Sequence, residues 1–140
     1  TDIQATLAIS QINRLDDFLK KRKKIAKIYD DSFKNLPNIQ IPQFNLRNYS
    51  SNHLYIIMID FKKIGISRNE LMFQLKKRNI GSQVHYIPVP MHPYYKKKTS
   101  LSNIKNAKNY YENCLSIPIY YDLKEKDLIK LINEIKYYLN

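Results

Sequence analysis

Two of the chain's three histidines, His85 and His92, lie in one proline-rich stretch, GSQVHYIPVPMHPYY, at residues 81–95. Imidazole titrates near neutral pH, so it can exchange a proton, ligate a metal or hydrogen-bond a ligand. Proline is poorly tolerated in helices and central strands, so the three prolines favour a rigid, irregular segment. The stretch therefore reads either as a wall of a binding site or only as a stiff loop.

The other motifs that carry chemistry are missing. The chain has two glycines, Gly65 and Gly81. Phosphate-binding loops and dinucleotide fingerprints need several glycines at fixed spacing. The histidines are scattered, and neither an HExxH motif nor a cysteine cluster is present, so we predict no metal site. No Ser-His-Asp arrangement can be read from the spacing. The sequence therefore predicts no self-sufficient catalytic site and no catalytic residue.

The single cysteine, Cys114, excludes an internal disulfide framework and is typical of a reducing compartment. It directly precedes an apolar stretch, which favours a small buried thiol over a nucleophile. No apolar run approaches the ~20 residues needed to cross a bilayer. No signal-peptide pattern is visible at the first residues. We therefore expect a cytoplasmic protein with no membrane partner.

The net charge of +12 suggests a polyanion as a partner. Lysine dominates over arginine in the basic clusters, although arginine is the usual reader of base edges. Abundant Lys, Asn, Ile and Tyr are also typical of an AT-rich genome. Solvated lysine faces without a nucleic-acid partner are therefore favoured, and a stand-alone basic domain that binds RNA or another polyanion is the alternative. The clusters lie at residues 20–24, 76–78 and 96–98.

The N-terminal segment reads as one long helix over residues 2–36, because apolar residues recur at helical spacing. Thr1 and Gln4 have the capping-box form, and Pro37 follows the predicted end. The first half is apolar on more than one face, and such a helix normally packs against more than one body. A start at a cap without a methionine suggests a cut chain.

The remaining sequence predicts a small sheet with helices against it. Ser67 reads as a helix cap, and Asn79 or Gly81 is available for a left-handed helix end. Residues 37–52 and 87–102 read as irregular. From the order of elements alone, parallel crossovers and an α+β layered arrangement both remain open. The predicted strands are 53–61, 82–86 and 115–120, and the further predicted helices are 67–78, 103–113 and 122–139.

Four stretches carry a family resemblance that runs in order over all 140 residues. They are TDIQATLAISQINRLDDFLKKRKKIAKIYDDSF, SSNHLYIIMID, NIGSQVHYIPVPMHPYY and CLSIPIYYDLKEKDL. Together they resemble the C-terminal region of the DegT/DnrJ/EryC1 family of pyridoxal-phosphate-dependent sugar aminotransferases. Arg22, Ala26 and Tyr29 match that family's Arg-x-x-x-Ala-x-x-Tyr pattern. GSQVHYIPV is most similar to the branch that makes the 4-amino sugar precursor of pseudaminic acid, the UDP-4-amino-4,6-dideoxy-N-acetyl-altrosamine transaminases.

The resemblance implies an α+β fold, the small C-terminal domain of a type I pyridoxal-phosphate transferase. That domain has an antiparallel sheet of about three strands flanked by helices. Residues 1–36 would form a long junction helix, and residues 53–140 the α/β layer. The Schiff-base lysine, the acid facing the pyridine nitrogen and most of the phosphate cradle belong to the family's N-terminal domain. The chain begins one residue past that family's Asn-Tyr-Arg-Met motif, so we expect no cofactor-binding residue here.

By the same resemblance, the whole enzyme would move an amino group from glutamate through pyridoxal phosphate to a UDP-4-keto-6-deoxy sugar. It would be a homodimer, and we expect the isolated chain to be inactive.

The candidate substrate-binding residues are His85 and Tyr86, which lie where the family's active-site cleft is expected. Each of these two residues also has an alternative interpretation in which it contacts no ligand. His85 could be a strand-end side chain bonded to the backbone, and strand alternation would turn Tyr86 to the opposite side. His92 is displaced from the family pattern by Pro90 and Met91. His53, at a strand entrance, is favoured as a capping or satisfied side chain.

Overall fold

Residues 1–98 and 104–139 are described by the computed structural model, and they form helices around a small antiparallel sheet. The strands in these ranges lie side by side in the order in which they occur along the chain, so the second lies between the first and the third. The predicted α+β class is confirmed. The strands of this part of the chain are β1 (Ile39–Gln40), β2 (Tyr55–Ile59) and β3 (Cys114–Ile117). Its α-helices are α1 (Asp2–Ile12), α2 (Leu15–Phe33), α3 (Phe61–Ile64), α4 (Arg68–Lys77), α5 (Pro93–Lys96), α6 (Lys105–Asn113) and α7 (Glu125–Leu139).

The prediction of one helix over residues 2–36 is wrong, because the helix is interrupted at residues 13–14 and ends at Phe33. Asn13 and Arg14 keep backbone angles close to helical values, so the chain continues onward rather than reversing. The Arg14 guanidinium lies 4.9 Å from the centre of the Phe18 ring, and Tyr121 packs edge-on against Phe18. This contact fixes the start of α2 to the segment that follows β3.

Helix α1 contributes nothing to the core. The capping box of Thr1 and Gln4 is present as predicted. Four apolar side chains of the helix are 60–83 % exposed: Ile3, Leu7, Ile9 and Ile12. An apolar helix of this kind normally packs against another body.

The middle strand β2 forms from a dense run of β-branched and aromatic residues, as predicted. The strand β1, which pairs with it, lies in a segment predicted to be irregular. Residues 37–52 were expected to be irregular, but Ile39 and Gln40 pair with Ile59 and Met58 as β1. A two-residue strand shows no alternation that a sequence pattern could reveal.

The predicted strand at residues 82–86 is wrong in extent. Only Gln83 pairs, as an isolated bridge to Ser116 of β3. Pro88 and Pro90 follow closely and cannot donate hydrogen bonds to a ladder, which limits pairing in this stretch.

The predicted helix at residues 67–78 is confirmed as α4. The Ser67 hydroxyl accepts a hydrogen bond from the Glu70 amide at 3.1 Å, as expected of a cap. At the other end Asn79, not Gly81, has the left-handed conformation, with φ of 61°. Asn tolerates that region because its short polar side chain can bond locally.

The later elements follow the sequence patterns with small shifts. The predicted irregular segment 87–102 contains a 3₁₀ turn at Val89–Met91 and the short helix α5. Residues 99–102 of this predicted segment, and residue 103 of the next predicted helix, lie outside the described residues. Helix α7 buries Leu128, Leu131, Ile132, Ile135 and Leu139 at helical spacing. No helix in the described ranges is both long and apolar enough to span a bilayer.

Candidate functional site

A groove of about 280 Å³ lies where β3 meets the bridged segment at residues 81–85. It brings together two of the three histidines, His53 and His85, which are 32 residues apart in sequence. Polar groups thus converge on a partly apolar wall, the usual composition of a small-molecule site. The other polar lining residues are Ser82, Gln83 and Ser116, and the apolar ones are Leu54, Ile117, Pro118 and Ile119.

His85 is positioned by the single bridge between Gln83 and Ser116. Two backbone hydrogen bonds join these residues, at 3.0 and 2.8 Å. Side chains two residues apart on an extended segment share a face. The His85 side chain therefore lies on the same face as the side chains of Gln83 and of Ser116, with which Gln83 pairs. The His85 Nδ1 atom lies 2.8 Å from the Ser116 hydroxyl oxygen. The His85 ring is thereby held at the groove wall.

Another part of the groove lining is fixed by Arg22, whose guanidinium donates to three backbone carbonyls. The acceptors are Asn52 at 3.3 Å, His53 at 3.1 Å and Ile119 at 2.9 Å. One side chain therefore ties the entrance of β2 to the exit of β3. These are the two segments that carry His53 and the apolar wall of the groove.

Tyr29 completes this support about two helical turns further along α2. Its hydroxyl donates to the Pro118 carbonyl at 2.7 Å, and its ring is fully buried. Burial raises the pKa of Tyr29 well above its usual range, so the phenol stays protonated as a donor. The Arg22, Ala26 and Tyr29 pattern is therefore structural: it attaches α2 to both edges of the groove.

The other predicted site residues lie apart from this groove. Tyr86 is 70 % exposed, and its ring centre is 6.1 Å from that of His92. Neither Tyr86 nor His92 lines the groove. The structure thus groups His85 with His53, which sequence reasoning favoured as a capping residue, rather than with Tyr86.

Cys114 is buried, as its sequence context predicted. Burial raises the pKa of the thiol, and the nearby Arg68 charge only partly offsets this. A protonated, enclosed thiol is a poor nucleophile.

The residues of this chain do not fit a covalent pyridoxal phosphate site. A Schiff-base lysine needs a desolvated amine with a lowered pKa. None of the chain's lysines, all of which lie within the described residues, is buried. No group of three or more potential metal ligands occurs among residues 1–98 and 104–139.

Sequence reasoning missed Ser116, which touches the best candidate residue. A signal was present: Ser116 is the one polar residue between Leu115 and Ile117 in a buried strand, and buried hydroxyls need a hydrogen-bond partner. The partner itself was not predictable, because it comes from a segment 31 residues earlier in the chain.

The fold and the groove define a small α+β domain in which polar side chains converge on a partly apolar wall. The chain matches the DegT/DnrJ/EryC1/StrS aminotransferase family over residues 1–136, and it belongs to that family.

Two relatives illustrate the match. The chain is 38 % identical over 138 residues to the spore coat polysaccharide biosynthesis protein SpsC of Bacillus subtilis, covering 96 % of this chain and 36 % of that protein. It is 35 % identical over 127 residues to the UDP-4-amino-4,6-dideoxy-N-acetyl-beta-L-altrosamine transaminase of Campylobacter jejuni, covering 91 % of this chain and 34 % of that enzyme.

Two solved structures share the fold. PseC of Helicobacter pylori, an aminotransferase involved in the biosynthesis of pseudaminic acid, superposes with a TM-score of 0.88 at 28 % identity. The match covers 98 % of this chain and 37 % of PseC. The PLP form of the putative sugar aminotransferase Spr1654 of Streptococcus pneumoniae superposes with a TM-score of 0.85 at 30 % identity, covering 99 % and 35 %. The chain spans about a third of the length of these proteins.

Proposed function

We propose that this chain is the C-terminal domain of a pyridoxal-phosphate-dependent nucleotide-sugar aminotransferase, and that its groove forms one wall of the sugar-nucleotide site. The observation that carries the proposal is the convergence of His85 and His53 on one groove in a chain of this family. Residues 1–36 form the junction with the rest of the enzyme, and residues 53–140 form the wall.

The groove suits a nucleotide sugar because it combines hydrogen-bonding and apolar surface. Imidazole can donate to a sugar hydroxyl or to a phosphate oxygen, and its protonated form adds charge opposite a diphosphate. The wall of Ile117, Pro118 and Ile119 offers an apolar face for a ring. Tyr86, which is exposed beyond the groove, stays a candidate for a substrate contact made when the site is complete.

The cofactor chemistry belongs to the rest of such an enzyme. Pyridoxal phosphate, when bound there, would supply the electron sink and would carry the amino group from glutamate to a UDP-4-keto-6-deoxy sugar. The residues of this chain bind and orient the sugar nucleotide and limit the access of water. The relatives from Campylobacter and Helicobacter make the pseudaminic acid precursor the favoured product.

The exposed apolar surface of α1 supports the same assignment. Its four exposed apolar residues would be covered by the cofactor-bearing part of the enzyme or by the second subunit of a homodimer.

The division of roles makes a direct prediction for the isolated chain. Mixed with pyridoxal phosphate, it should give no absorbance band of an internal aldimine, because no lysine is buried. It should also convert no keto sugar when glutamate is added. The matched control is the same measurement on a complete family enzyme, in which the band should appear. An aldimine band that maps to one lysine of this chain and is lost when the chain is unfolded would contradict the proposal.

A further inference from the structure

His85 and Ser116 form a hydrogen-bonded pair in which the direction of the bond can be determined. Ser116 is a buried residue, and within the described residues the only hydrogen-bond partner of its hydroxyl is the His85 Nδ1 atom, at 2.8 Å. Buried donors are almost always satisfied. If Nδ1 carried the proton, the hydroxyl would accept and its own hydrogen would be left without an acceptor among the described residues. Donation from Ser116 to an unprotonated Nδ1 satisfies both groups.

This direction fixes the tautomer of the neutral ring. With Nδ1 accepting, the proton lies on Nε2, the ring nitrogen that has no hydrogen-bond partner in the described part of the chain. His85 lines the groove. A ligand in the groove that reaches Nε2 would therefore meet a hydrogen-bond donor.

We infer that Ser116 is a positioning residue, which holds His85 in the Nε2–H form and orients its ring toward the groove. The group that faces His85 must then be an acceptor, such as a phosphate, carbonyl or hydroxyl oxygen. The assignment of this acceptor to a nucleotide sugar rests on the proposed function. The assignment of the tautomer does not depend on it.

The backbone supports the same role. Ser116 is paired on both sides, with Ile56 of β2 and with Gln83 of the bridged segment. Both neighbours restrict the strand, so the hydroxyl has little freedom to move away from the ring. A serine hydroxyl held in this way imposes orientation as well as tautomer.

The test is ¹⁵N NMR of the histidine rings of the chain in mildly alkaline buffer, where imidazole is neutral. We expect His85 to show a protonated Nε2 and an unprotonated Nδ1. In Ser116→Ala the ratio of the Nε2–H to the Nδ1–H form should fall about fivefold, the equivalent of ~1 kcal/mol for one hydrogen bond. Ser116→Thr, which keeps the hydroxyl, should restore the ratio. Ser82→Ala, which removes another hydroxyl of the same groove, should leave it unchanged.

A protonated Nδ1 in the unsubstituted chain would overturn the inference. This measurement does not depend on whether any variant folds. A tautomer ratio that Ser116→Ala leaves unaltered, with the backbone spectrum intact, would overturn it as well. Titration of the same samples with UDP-N-acetylglucosamine addresses the proposed function separately. A tautomer that depends on Ser116, together with no binding of that nucleotide sugar, would contradict the proposed function and support the positioning role.

Discussion

Replacing Tyr29 with alanine is expected to lower the free energy of unfolding by about 3–5 kcal/mol, the range found for truncation of large buried aromatic residues. The Tyr29 ring is fully buried, stacks on Phe33 with centroids 5.8 Å apart and lies 4.6 Å from the ring of Tyr55. Alanine would leave a cavity beside these rings. It would also leave the Pro118 carbonyl without its hydrogen-bond donor. Equilibrium unfolding in urea measures the loss.

Tyr29→Phe is the matched control, because it keeps the ring and removes only the hydroxyl. It should cost about 1–2 kcal/mol, the effect of one lost hydrogen bond with a partly buried acceptor left behind. A loss below about 1 kcal/mol for Tyr29→Ala would show that the contact between α2 and the end of β3 does not hold the fold together.

Replacing His85 with alanine is expected to weaken binding of a UDP-sugar to this chain at least tenfold. A hydrogen bond to a charged group contributes about 1.5–3 kcal/mol, which corresponds to about a ten- to hundredfold change in Kd. The Kd is measured by following ¹H–¹⁵N shifts during a UDP-N-acetylglucosamine titration. His85→Gln, whose amide can place a donor near the former Nε2 atom, should recover part of the affinity.

His92→Ala provides the control for this prediction, because His92 lies in the same proline-rich stretch but outside the groove. Its Kd should stay within about twofold of the unsubstituted chain, since it loses no contact there. Equal losses for His85→Ala and His92→Ala would point to a general effect on the stretch and would contradict a specific contact at His85.

Local signals in the sequence correctly predicted where two of the helices begin. Thr1 and Ser67 cap α1 and α4 as expected, because the capping hydrogen bonds are made within three residues. The interruption at residues 13–14 was missed because neither proline nor glycine marks it. The two-residue β1 was missed because its pairing depends on β2, which lies about twenty residues further along the chain.

The site was predictable only in part for the same reason. His85 was identified from the family resemblance, yet its environment depends on long-range contacts. Ser116 reaches it across 31 residues, and Arg22 joins backbone carbonyls 30 and 97 residues away. No periodicity encodes such contacts. The pattern of Arg22 and Tyr29 was visible in the sequence, but its purpose, the attachment of α2 to both groove edges, required the structure.

The position at which a nucleotide sugar binds on this chain decides whether the groove of His53 and His85 is part of the substrate site. Amide shifts should be mapped during the same UDP-N-acetylglucosamine titration. A second depression, of about 590 Å³ and lined by residues 37–40, 58–63, 109 and 112–113, serves as an internal comparison. We expect saturable shifts at residues 53–54, 81–85 and 116–119, with none at the second depression. Shifts confined to the second depression, or to the lysine clusters in a manner abolished by moderate salt, would contradict this expectation.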